Sequence, residues 1–157
     1  MNNSIVLTIQ AILAPALGIS ATGLLLLGLT NRYSSMINRI RLLNEEKRKY
    51  MNMIIEKGEL SYIENIRLAS ITKQMGDLLF RSRMARNAIL SIQIAIILFV
   101  ITSVTIGANI FFSNNIIETT ALMLFLCGML CVLVGVLFAA FEIYNSYKIA
   151  VLEVKAE

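Results

Sequence analysis

Cys127 and Cys131 lie four residues apart in an apolar stretch, a spacing that could serve redox or metal chemistry. Gly135 and Ala139 continue the same step, so the four residues form one stripe of small side chains. Such stripes let helices approach closely. A disulfide between neighbours on one helix has poor geometry, and a soft metal would need further ligands. The stripe is read as helix packing. Thr102, Thr105 and Asn109 form a second constellation, spaced by three and four on one helical face with Gln93 roughly opposite. A face of this kind either bonds a neighbouring helix or lines water. Glu142 is the third candidate, as the first charge after a long apolar run. Its depth should match that of Arg32 and Arg86, so it is read either as a free carboxylate in the headgroup zone or as one half of an ion pair with one of them.

What is missing narrows the chemistry further. The sequence contains no His, which removes imidazole acid–base catalysis and His-based metal sites. It offers no phosphate-cradling glycine loop, no nucleophile–base pair and no paired intramembrane carboxylates. The expectation is a protein that is not an enzyme, with no catalytic residue, cofactor or metal site.

The elements that must position these residues are long and apolar. Of 157 residues 57% are hydrophobic and 15% charged, and the mean hydropathy is +0.74. An ordinary soluble domain is about 45–50% apolar and about 25% charged. The excess falls in three charge-free blocks: Ile5 to Leu29, Ala88 to Phe112, and about Thr119 to Phe141. Each exceeds the roughly 20 residues that cross a bilayer as a helix, and unpaired backbone is not tolerated in lipid. Three transmembrane helices are therefore predicted. The four residues before the first block carry no basic side chain, and the apolar run continues well past Ala14-Pro15-Ala16, so a span is expected rather than a cleaved signal peptide. Pro15 falls mid-span, where a kink is expected. Ala14, Gly18 and Thr22 give this span a small-residue stripe of its own.

Charge sets the threading. Twelve of the 14 Lys and Arg residues lie between Arg32 and Arg86, and the other two are Lys148 and Lys155. With three spans these all fall on one side, which the positive-inside rule makes cytoplasmic. The predicted organisation is a first span over 1–30 with its N-terminus outside, a cytoplasmic helical hairpin over 31–87, a second span over 88–112, an external loop over 113–118, a third span over 119–141 and a cytoplasmic tail over 142–157.

The hairpin has two apolar stripes. The first contains Tyr33, Met36, Ile37, Ile40, Leu43, Met51 and Ile54, and the second Ile63, Ile66, Leu68, Ile71, Met75, Leu78 and Leu79. Between them, Lys57-Gly58 reads as a helix stop and Ser61-Tyr62-Ile63-Glu64 as a capping box. The hairpin either simply connects two spans or also serves as an oligomerisation or docking surface. Arg32, Arg81, Arg83 and Arg86 stand near a membrane boundary and are expected to contact anionic lipid headgroups. The net charge of the segment is explained by topology, and nucleic acid is not an expected partner.

The run Pro15-x-x-Gly18-Ile19-Ser20-x-x-Gly23-Leu24-Leu25-Leu26-Leu27, with Asn31-Arg32-Tyr33 and Arg39-Ile40-Arg41 after it, resembles the opening of a family of small bacterial membrane proteins catalogued as a domain of unknown function. Arg81-x-Arg83-x-x-Arg86 and Glu142 also resemble that family. The resemblance implies a bacterial inner membrane and a span–hairpin–span–span plan, and it brings no catalytic residue. A weaker, fold-level likeness is to the core of membrane-protein insertases, although the intramembrane cation often found in their groove has no counterpart here. The sequence thus predicts an all-α integral membrane protein that forms a homo-oligomer. Ion conduction is the leading functional expectation, with an insertase-like chaperone and a non-conducting scaffold as alternatives.

Overall fold

The computed structural model describes the backbone of residues 2–59, 61–112 and 115–155, and side chains over 10–56, 58–59, 61–109 and 115–144. Among the described residues the elements are three helices: α1 (Asn2–Lys57), α2 (Tyr62–Phe112) and α3 (Asn115–Lys155). Each contains a stretch long and apolar enough to cross a membrane. The chain is accordingly an all-α, multi-pass membrane protein.

The helix ends follow from local chemistry. Gly58 adopts φ of 80°, the left-handed conformation that costs a residue without a Cβ little. Its N–H donates to the Ile54 carbonyl at 2.9 Å, closing α1. At the start of α2, the Ser61 N–H donates to Glu64 Oε2 at 2.8 Å, which is the carboxylate half of a capping box. Glu64 and Glu118 place acids in the first turns of α2 and α3, where negative charge complements the helix dipole. Residues 115–118, expected in a loop, instead form the first turn of α3. Likewise α3 continues through the expected tail as far as Lys155. Pro15 is buried inside α1, and the helix runs through it unbroken.

Two compact units are distinguished, one of residues 1–30 and 87–140, the other of residues 31–86 and 141–157. In the first unit, α2 and α3 run antiparallel on matched sevens. Phe99 meets Gly128 and Ile92 meets Gly135, so seven steps forward along α3 are seven steps back along α2. A Cβ on Gly128 would lie 2.7 Å from Phe99 Cε1, and one on Gly18 of α1 would lie 3.1 Å from Phe99 Cε2. The ring is thus held by its two edges between glycines of two helices. Phe125 flanks it with a centroid separation of 5.5 Å.

In the second unit, Leu43 of α1 and Ile71 and Leu78 of α2 form a buried cluster, with Ile40, Tyr50 and Met75 packed against it. Several residues of the expected stripes lie outside this core: Met51, Ile63, Ile66 and Leu79 are exposed. The reason is phase. Core positions on α1 and α2 recur at seven (Met36, Leu43; Ile71, Leu78, Ala85), and the exposed residues fall off that series. Arg67 and Glu46 tie the two arms from outside, Nε to Oε1 at 2.9 Å and Nη2 to Oε2 at 3.2 Å. The hydrogen bonds and charge of Glu46 raise the Arg67 pKa above its ordinary value. A raised pKa contributes stability below the unfolded value of a guanidinium, so it creates no pH dependence near neutrality.

Candidate functional site

Glu142 is 2% exposed, yet it carries a carboxylate that would be costly to bury alone. Two guanidiniums meet it. Arg32 Nη2 of α1 lies 2.9 Å from Oε2, and Arg81 Nη2 of α2 lies 3.3 Å from Oε1. One residue from each helix therefore converges at one level of the second unit. Each carboxylate oxygen faces a different cation, so neither Arg makes the two-bond fork that Arg67 makes with Glu46. Arg81 Nε is left buried without a hydrogen-bond partner among the described residues. The Arg32 and Arg81 side chains are 42% and 26% exposed, so both reach the surface of the chain while the carboxylate does not. Asp77, one turn before Arg81, makes no ion pair with it.

This site draws on two residues singled out from sequence, Glu142 and Arg32, and on Arg81, which was expected only to contact lipid. Arg86 is exposed and takes no part in these pairs. Depth alone pointed to Arg86, but helical phase selects Arg81. Five residues rotate a side chain about 140° around the helix, which turns Arg86 away from the face that Arg81 shares. Arg83 is also exposed.

The polar face of α2 is divided. Thr102 is 1% exposed, Thr105 and Asn109 are partly buried, and Gln93 is exposed. The Thr102 hydroxyl donates to the Leu98 carbonyl and that of Thr105 to the Ile101 carbonyl, both at 2.8 Å. Both donors are therefore spent within their own helix. Thr22 on α1 does the same, donating to the Gly18 carbonyl at 2.7 Å.

The small-residue stripe of α3 also differs from expectation. Cys127 is exposed, Cys131 and Ala139 are partly buried, and only Gly135 of that set is fully buried. The buried series is instead Ala121, Gly128, Gly135 and Glu142. A four-residue step drifts about 40° around the helix each time, so it leaves the contact line within two or three steps. A seven-residue step nearly closes on itself and stays on it. Gly128 and Ala121 were missed for this reason. At Gly135 the approach is to α2 backbone as well as side chain: a Cβ there would lie 2.8 Å from Ile92 Cγ1 and 3.2 Å from the Ala88 carbonyl oxygen.

A family model described as protein of unknown function DUF2721 matches residues 12–151. The chain belongs to this family. The match takes in the Arg32, Arg81 and Glu142 cluster, both glycines that receive Phe99 and the whole hairpin. No curated protein and no solved structure matches the chain. As a DUF2721 protein it therefore takes no activity from a relative, and its function must be read from its own residues.

Proposed function

We propose that the protein is a homo-oligomeric, non-conducting scaffold of a bacterial cytoplasmic membrane, with its N-terminus outside and its hairpin and C-terminus in the cytoplasm. The observation that carries this reading is an apolar patch at the hairpin turn. Ile55, Tyr62 and Ile63 are 82%, 79% and 76% exposed, and Ile66 and Met51 beside them are exposed as well. These residues stand in the segment that holds 12 of the 14 cations, outside the charge-free runs that lipid would cover. In water such surface costs about 25 cal/mol per Å², and patches of it mark association sites. Every copy displays the same patch, so a symmetric contact would cover two at once. The cation distribution supports the orientation.

Conduction is favoured less. A lumen shared between copies needs Thr102 at the surface of each, and Thr102 is buried within its own unit. Proteoliposomes shown by flotation to contain the protein should pass K⁺, Na⁺ and Cl⁻ no faster than empty vesicles. Flux that Asn109→Leu abolishes would restore the channel reading.

A further inference from the structure

Among the described residues two cations, Arg32 and Arg81, share the carboxylate of Glu142, which leaves positive charge over. Each guanidinium carries five N–H donors in a planar fork suited to phosphate. The contacts with Glu142 engage Nη2 of Arg32 and Nη2 of Arg81. Both side chains also reach the surface, while the carboxylate between them does not. An approaching anion therefore meets guanidinium edges and not the carboxylate oxygens.

The cluster also stands where phosphate is abundant. The charge-free runs of the three helices end at Asn31, begin at Asn87 and end at Phe141. Arg32, Arg81 and Glu142 are thus within a few residues of each hydrophobic boundary, at the depth of lipid headgroups. Ordered by a buried carboxylate, the two Arg side chains forfeit less freedom on binding than solvated ones would.

We propose that Arg32 and Arg81, held in place by Glu142, form a site for the phosphate of an anionic phospholipid. A net negative headgroup is preferred because the surplus charge of the cluster is positive. A zwitterionic headgroup brings a competing cation of its own. Glu142 acts here as a positioning residue, and Arg83 and Arg86 supply only the diffuse field of the boundary.

Native mass spectrometry of the full chain, released from mixed micelles of phosphatidylglycerol and phosphatidylcholine, tests this. Phosphatidylglycerol should be retained selectively. Arg32→Gln and Arg81→Gln should each weaken its retention about fivefold, whereas Arg83→Gln should change it little. Arg32→Lys and Arg81→Lys keep the charge and the fold but lose the fork, and should fall in between. Equal retention of both lipids would overturn the site, and so would equal losses from Arg83→Gln and Arg81→Gln. Inorganic phosphate that displaces the lipid at equal concentration would reassign the cluster to a soluble anion and overturn the lipid assignment.

Discussion

Glu142→Gln removes the one carboxylate that Arg32 and Arg81 share and leaves two guanidiniums facing each other. A fully buried pair broken this way costs about 3–5 kcal/mol, but both Arg side chains here are partly exposed, which lowers the expectation to about 1–2 kcal/mol. Once Glu142 is Gln, Arg32→Gln or Arg81→Gln should cost little more, because each then removes an unmatched charge. Arg86→Gln should add its own small effect independently. Thermal unfolding in detergent, followed by circular dichroism, gives the three double-mutant cycles. Additivity for Arg32 with Glu142 would mean that the 2.9 Å pair contributes nothing. At this scale the sequence placed a charge at position 142 near the boundary and left open whether it was free or paired with Arg32 or Arg86. It did not disclose which one, because distance from the membrane can be counted along a chain while rotational phase depends on which helix faces which.

Helix packing rests on glycines that the chain places seven apart on α3. Gly135→Ala and Gly128→Ala push a methyl group to 2.8 Å from Ile92 Cγ1 and 2.7 Å from Phe99 Cε1. Over-packing of this kind costs about 1–3 kcal/mol, and Gly135→Ala should be the worse because the Ala88 carbonyl oxygen is rigid. Gly76 in the second arm has open space around it, so Gly76→Ala should stabilise by up to about 1 kcal/mol. Gly58→Ala should destabilise by a similar amount, because its φ of 80° strains any residue with a Cβ. Urea or thermal melts of the four variants order them directly. An unchanged Gly135→Ala would contradict the close approach of α2 and α3. Helix existence, the Gly58 stop and the Glu64 cap were legible from residue type, since each is a local matter. The packing stripe was not, because Cys127, Cys131, Gly135 and Ala139 look like a ladder until the partner helix imposes a period of seven.

For the molecule as a whole, sequence and structure agree on three long apolar helices among the described residues. Function is less legible, since no residue motif of the sequence points to one chemistry. The polar face at Thr102 illustrates this: its spacing suggested either a bond to a neighbouring helix or a water-lined path, while its hydroxyl is spent on the Leu98 carbonyl. Self-association is the central claim, and it rests on the patch formed by Ile55, Tyr62 and Ile63. The direct measurement is the mass of the particle in lipid nanodiscs by mass photometry or light scattering, corrected for lipid and belt. A mass at a defined multiple of 17.5 kDa is expected for the native chain. Ile55→Gln with Ile63→Gln should reduce it to one copy while the helical circular dichroism is unchanged. A native chain with the mass of a single copy across its working concentration range would contradict the account.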